Sequence, residues 1–383
     1  MKPILGLLLS CIILNAYAQN DACESRHCLS IVDAGSTGSR LHTYAYDLDN
    51  NHYPIHINEI WVKKIKPGLS ALDLNESTIN DYLTRLLDDA PQKKMPIYFY
   101  STAGMRLLSN AKQQLANETI RHWFDENQQW SLMEAKTING QEEGVYGWLA
   151  INYQLGNFDD TNSAKHIPVG VLDIGGSSVQ VTFPVTNMGG INKADLYSVD
   201  AGGHHFVLFA HSFLGLGQTL VSQQFFDKKS CFADGYQLPN NGVGKGDAAG
   251  CQRDISQLIN NVHGVNPIVN RPLAQNPMES WYAIGGVSSF VDDPIFSAEN
   301  GQFTNRDLRE QVDTKICHQL WQDVSAQYPD NDFLYEYCLL SAYYYALMVD
   351  GYGLKAEQTI HYIASGQGAD WTMGVVLHQQ GHS

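Results

Sequence analysis

The sequence predicts an α/β protein made of two copies of one fold that face each other across a cleft. Three observations carry this. The chain has 383 residues, of which 44% are hydrophobic and only 17% charged, enough for two domains with real cores and too apolar for long disorder. Residues 31–40, "IVDAGSTGSR", and residues 171–180, "VLDIGGSSVQ", repeat one arrangement: an apolar strand, an Asp, a Gly/Ser/Thr turn, then an alternating strand. The two aspartates, Asp33 and Asp173, are one domain's length apart, as expected of a duplicated unit.

The first element is a leader. "MKPILGLLLSCIILNAYAQND" has a short positive start at Lys2, an apolar run from Leu5 to Leu14 and a small-x-small site at Ala16-Tyr17-Ala18. It reads as a signal peptide over 1–18, cut after Ala18, with an uncleaved anchor and a lipoprotein cut before Cys11 as the other readings. No later segment approaches ~18 consecutive apolar residues, so no transmembrane anchor is expected.

The two hairpins follow the physics of glycine. Without a Cβ, backbone N–H groups turn inward, and with Ser and Thr hydroxyls they form an anion-binding nest. The carboxylate beside such a nest repels a phosphate but can hold a hydrated divalent cation that the phosphates share. Two nests and two aspartates on one cleft describe a clamp for a metal-bound polyphosphate. Either hairpin alone reads equally as a tight turn.

Between the hairpins, "PIYFYSTAGMRLLSNAKQQL" begins at 96 with a strand, turns at residues 101–104 and continues from Met105 as a helix through Leu107, Leu108, Ala111 and Leu115. Arg106 either reaches a phosphate or is a solvated arginine. "MEAKTINGQEEGVYGWLAINYQL" (133–155) opens a helix at Gln141-Glu142-Glu143 with Val145, Trp148, Leu149 and Tyr153 on its apolar face. Acids at a helix start are ordinary, but Gly144 and Gly147 in the first turn are poor helix formers and predict close packing against that backbone. One of the two glutamates is a candidate general base.

After the second hairpin, "GVGKGD" (242–247) lacks the Gly and Ser/Thr of a Walker A loop and reads as a surface loop. "WYAIGGVSSF" (281–290) is a third strand-then-glycine unit, suited to the floor under a ribose or base. "CLLSAYYYALMVDGYGL" (338–354) is an apolar helix ending at Gly351-Tyr352-Gly353, where a tyrosine between glycines is a candidate stacking platform. His204, His205 and His211 read as packing or surface residues.

With Cys11 removed, six cysteines remain, an even number that predicts three disulfides in an exported protein. Nearest-neighbour pairing, Cys23–Cys28, Cys231–Cys251 and Cys317–Cys338, closes the shortest loops. No CxxC or HExxH spacing supports zinc. The net charge of −16 leaves no footprint for nucleic acid or an anionic membrane, and requires that an anionic substrate arrive with a cation or meet a locally positive pocket.

"IVDAGSTGSRLHTY", "STAGMRLL", "INGQEEGVYGWLAINY", "LDIGGSSVQVTF" and "AIGGVSSF" resemble, in order, the five conserved regions of the apyrases, the nucleoside triphosphate diphosphohydrolases of the GDA1/CD39 family; with "AHSFLGLG" and "DWTMGVVL" the resemblance spans about residues 29 to 378. It implies an actin-like (ASKHA) fold of two ribonuclease-H-like lobes, 19–139 plus 368–383 and 140–367, around a central cleft. It implies hydrolysis of ATP, ADP and other nucleoside tri- and diphosphates to the monophosphate, with Ca²⁺ or Mg²⁺. By motif, Glu143 matches the general base, and Asp33 and Asp173 hold the metal through water. Ser36, Thr37, Gly38, Thr102, Gly175, Gly176 and Ser177 match phosphate-binding positions. Ser178 and Gln180 match groups that place the attacking water, and Tyr352 an aromatic that stacks on the base. Relatives at animal cell surfaces carry a membrane helix at each end; with none here, a secreted or otherwise exported monomer is expected. The rival readings are a phosphohydrolase of the same fold acting on polyphosphate or a guanosine alarmone, a non-hydrolytic nucleotide-binding module, and, more remotely, a sugar kinase.

Overall fold

A computed structural model describes residues 22–90, 94–158, 168–296, 301–363 and 370–380; the leader expected over 1–18 lies outside them. The first sheet has five strands in the order β3-β2-β1-β4-β5. They are β1 (His27–Ala34), β2 (Ser39–Leu48), β3 (Pro54–Ile65), β4 (Pro96–Ser101) and β5 (Ser131–Thr137). β1, β2 and β3 form an antiparallel meander, and β4 and β5 add parallel to β1. β1 and β4 are buried on both faces along nearly their whole length, as an apolar run in the middle of a covered sheet must be. Helix α1 (Glu76–Leu87), capped where Asn75 accepts from the Thr78 N–H, and helix α2 (Asn110–Glu126) turn Ile79, Leu83, Leu86, Ile120 and Phe124 onto one face.

The second sheet has the order β11-β12-β10-β6-β7-β9-β8, with β6 (Gly170–Ile174), β7 (Ser178–Pro184), β8 (Leu196–Ala201), β9 (His204–Leu214), β10 (Trp281–Gly285), β11 (Gln302–Thr304) and β12 (Thr359–Tyr362). Its centre repeats the first sheet: β6, β7 and β9 are an antiparallel meander, and β10 and β12 add parallel on the far side of β6. β1 therefore corresponds to β6 and β4 to β10. This is the duplicated α/β architecture expected from the paired hairpins.

The two halves share a core. Helix α3 (Gly140–Gln154) lies on β6, β7 and β9, the final helix (Trp371–Gln380) lies on β1, β2 and β3, and the two helices pack on each other. One apolar cluster joins Leu29, Ile31 and Tyr44 of the first sheet to Val171 and Leu208 of the second through Val145, Trp148, Val375 and Val376. The Tyr44 and Thr372 hydroxyls hydrogen-bond at 2.7 Å inside it. Among the described residues no helix is long and apolar enough to cross a membrane.

Two helices differ from expectation. The helix predicted from Met105 is a single turn, Ala103–Arg106, followed by a break and a fresh start at α2, because the Ser109 hydroxyl accepts from the Lys112 N–H and caps a new helix. The apolar helix predicted over 338–354 is regular from Tyr337 to Tyr345 and then widens into a π-type turn over Ala346–Gly351. The three disulfides are Cys23–Cys28, Cys231–Cys251 and Cys317–Cys338, the nearest-neighbour pairing. The last two lie in the second-lobe core.

Candidate active site

Both hairpin tips fall at the same point of their sheets. Asp33 stands next to last in β1, opposite Arg40 on β2; Asp173 stands next to last in β6, opposite Gln180 on β7. The tips also meet each other. A Cβ built on Gly176 would lie 3.0 Å from the Ser36 Oγ and 3.2 Å from the Thr37 methyl, so the second tip packs tightly against the first. Around them opens a cavity of about 660 Å³. Its wall carries Asp33, Ser36, Thr37 and Gly38 from the first tip and Asp173, Gly175, Gly176, Ser177 and Ser178 from the second, with Thr102 and Glu143 between. Eleven of the thirteen residues expected at the site thus line one cavity.

The start of α3 separates two adjacent acids by role. Asn139 accepts from the Glu142 N–H at 2.8 Å and Glu142 reaches back to the Asn139 N–H at 2.9 Å, a complete capping box; Lys136 pairs with the same glutamate at 3.1 Å. Glu142 is thereby spent on the helix. Glu143, one position on, turns into the cavity and is buried. Its Oε2 accepts from Arg106 Nη2 at 2.8 Å and from Gln180 Nε2 at 3.2 Å. Arg106 also donates to the Ser178 Oγ at 3.0 Å and the Ile138 carbonyl at 3.1 Å. Arg106 is thus neither a solvated arginine nor a residue of the cavity wall; it is the partly buried counter-ion of Glu143. Gln180 does not reach the wall either. Its amide donates to the Ser178 Oγ at 2.7 Å and the Ser212 Oγ at 3.0 Å, so it acts on the cavity through Ser178 and Glu143.

Tyr352 lies elsewhere. It is 1% exposed in the second-lobe core, its ring near Phe213, and it is not part of the cavity wall. Among the described residues its hydroxyl has no hydrogen-bond partner. The stacking role expected of it does not fit this placement, because a base stacks only on an accessible ring face.

A further group was not singled out by sequence reading. Asp370, His42 and Glu59 also line the cavity. Asp370 accepts from the Thr372 N–H at 3.0 Å at the start of the last helix, and its Oδ2 stands 3.8 Å from His42 Nε2. His42 Nδ1 meets Glu59 at 2.5 Å. Burial alone would lower the His42 pKa, but Asp370 and Glu59 outweigh it and the net shift is upward. Asp370 sits inside "DWTMGVVL", yet a lone Asp before an apolar helix reads as a cap, and capping is half of what it does.

The electrostatics are those of acids crowded into one buried place. Burial, then Asp370, pushes Asp33 from the ordinary 3.8 up to about 7, against the pull of Arg40 and His42; Arg40 Nη1 is 3.3 Å from the Asp33 carboxylate. Burial raises Asp173 well above the usual carboxylate range, with Glu143, Asp370 and Asp33 adding to it. Glu143 is raised by burial and pulled back by Arg106. Carboxylates crowded in a low-dielectric cavity are costly unless a cation joins them. The donors are oxygens, the set that suits Ca²⁺ or Mg²⁺. Among the described residues no three His, Cys, Asp or Glu side chains form a group able to hold an ion.

Comparison with known proteins bears on the family and the fold. A family model described as the GDA1/CD39 (nucleoside phosphatase) family matches residues 20–382. The chain is 27% identical over 407 aligned positions to ectonucleoside triphosphate diphosphohydrolase 1 of Rattus norvegicus, covering 91% of this chain and 80% of that protein. It is 26% identical over 409 positions to nucleoside-triphosphatase ntp-1 of Caenorhabditis elegans, covering 91% and 72%. Among solved structures, a nucleoside triphosphate hydrolase of Neospora caninum superposes with TM-score 0.59 at 14% identity, covering 99% and 98% of the two chains. A Ppx/GppA family member of Aquifex aeolicus superposes with TM-score 0.53 at 12% identity, covering 92% and 97%. The last two establish an actin-like fold.

Proposed function

The chain belongs to the GDA1/CD39 (nucleoside phosphatase) family, and on that premise we propose that it hydrolyses nucleoside tri- and diphosphates stepwise to the monophosphate by in-line attack of water. The observation that carries this reading is the meeting of two Asp-headed glycine tips on one cavity, with a buried glutamate between them. Ser36, Thr37 and Gly38 on one side and Gly175, Gly176 and Ser177 on the other receive the phosphate chain on N–H and hydroxyl groups, with Thr102 beside them. Asp33 and Asp173, joined by Asp370, hold the water shell of a divalent cation. When bound, Ca²⁺ or Mg²⁺ supplies charge neutralisation for the phosphates.

Glu143 accepts the proton of the attacking water. Arg106 draws the burial-raised pKa of that carboxylate back down, and Ser178, held by Arg106 and Gln180, orients the water. General-base help of this kind is worth roughly 10²–10⁴-fold. The three disulfides support export to an oxidising compartment.

The test is phosphate release from a panel of nucleotides with Ca²⁺, Mg²⁺ or EDTA. Release with a cation, none in EDTA, and a loss of roughly 10²–10⁴-fold in Glu143→Gln with nucleotide binding retained are expected. Full activity in Glu143→Gln would remove the general base from the reading. Release from inorganic polyphosphate but not from nucleotides would move the protein to the other phosphohydrolases of this fold.

A further inference from the structure

Part of the cavity wall carries no charge. Gln218, Thr219, Gly285, Gly286, Ser288 and Ser289 form it, where helix α4 (Gln218–Phe225) begins beside the turn from β10 into the short helix Gly286–Val291. The Gln218 N–H donates to the Gly175 carbonyl at 2.9 Å, which fixes the start of α4 to the second hairpin tip.

The Gln218 side chain is held in a built position. A Cβ on Gly286 would lie 1.9 Å from Gln218 Oε1 and 2.4 Å from Nε2, so the amide lies flat on a backbone that only glycine leaves open. Tyr344, fully buried, donates its hydroxyl to Gln218 Oε1 at 2.6 Å. The neighbouring Tyr343 donates to the Leu216 carbonyl at 2.6 Å, so the backbone before α4 already has its own tyrosine. With Oε1 engaged, the remaining polar end of Gln218 is Nε2, which makes no hydrogen bond among the described residues. A planar amide with one end fixed by a buried hydroxyl presents two oriented donors at its other end.

We propose that Gln218, fixed by Tyr344 and Gly286, recognises the sugar of the nucleotide by donating from Nε2 to a pentose hydroxyl. The inference rests on the nucleotide-hydrolase reading and adds a specificity-determining residue to it. A phosphate is drawn to the hairpin nests and the acid-bound cation. The part of the substrate that lies against an uncharged wall of amide, hydroxyl and bare glycine backbone is uncharged and bears oxygen acceptors, which describes the sugar. The Tyr344 contact sets which end of the amide faces the ligand, so the wall discriminates by hydroxyl and not by shape alone.

The test is equilibrium binding of the α,β-methylene analogue of ADP and its 2′-deoxy and 3′-deoxy forms to the full chain with cation present. It is run on wild type, Gln218→Ala and Tyr344→Phe, with kcat and KM for the hydrolysable counterparts. A net hydrogen bond of ordinary strength predicts that wild type binds the ribonucleotide about threefold to tenfold tighter than one of the deoxy forms. That preference disappears in Gln218→Ala and shrinks in Tyr344→Phe, whose amide is free to flip. The effect falls on KM more than on kcat. A sugar preference that survives Gln218→Ala, or equal weakening of all three ligands, overturns the proposal. If wild type binds all three equally, this inference alone fails; if it binds none, the nucleotide reading fails with it.

Discussion

Arg106 shows how much one side chain decides. Burial raises the Glu143 pKa, and the guanidinium at 2.8 Å opposes it. A base works only when ionised, so activity is present above the Glu143 pKa and lost as pH falls through it. Removing the cation leaves the desolvation unopposed. Arg106→Met is therefore expected to move the acid limb of the kcat/KM profile to higher pH, roughly tenfold in rate on that limb for each unit of movement, with Arg106→Lys restoring part of it. The pH–rate profile checks this, and an unmoved acid limb would remove Arg106 from that role. The same logic separates Glu142 from Glu143. Both were visible as acids at a helix start, but only the capping box and Lys136 show which one is committed to the helix.

At the scale of elements, α3 carries Glu143 and its position is set by contact with β7. A Cβ on Gly144 would lie 2.7 Å from the Thr182 Oγ1 and 3.2 Å from the Gln180 Cβ. The poor helix formers in this first turn are thus explained at Gly144 by close packing on a strand. Gly144→Ala is expected to push α3 off β7, costing about 1–3 kcal/mol in stability as overpacking does and lowering kcat, because Glu143 moves with the helix. Urea unfolding and steady-state kinetics on one preparation check both; full stability with full activity would show that the contact is loose. Asn139→Ala, which removes the cap from the same helix, is expected to cost about 1 kcal/mol, read by the same unfolding curve.

At the scale of the whole molecule, the fold brings Asp33, Glu143, Asp173 and Asp370 from different parts of the chain to one cavity. Asp33 shows the consequence for stability. Its folded pKa of about 7 exceeds the ordinary 3.8, so between those values the folded state binds more protons than the unfolded one. Stability then falls as pH rises from about 4 to about 7 and is flat above. Asp173 and Glu143 shift the same way. In EDTA the melting temperature is expected to drop across that window. Added Ca²⁺ or Mg²⁺ is expected to raise it more at pH 7.5 than at pH 5, the stabilisation at a hundred times Kd being about 2.7 kcal/mol. Thermal melts in both buffers check this, and an equal cation effect at both pH values would remove the acids from the cation site.

The sequence by itself determined the duplication and the loops. Glycine, serine and an acid at a strand end leave few alternatives locally, and the recurrence of the pattern implied two lobes sharing one cleft. The expected disulfide pairing followed from loop length, and Glu143, Asp33 and Asp173 were legible because their neighbours in the chain carry the signal. Only the tertiary structure decided what those residues touch. Arg106 reaches Glu143 from another segment, Asp370 enters the cavity from the last helix, and Tyr344 fixes Gln218 from 126 residues away. Tyr352, between its two glycines, had the local look of an exposed platform but is enclosed by the second-lobe core. Burial and pairing arise from segments that meet only after folding, so no window of sequence contains them.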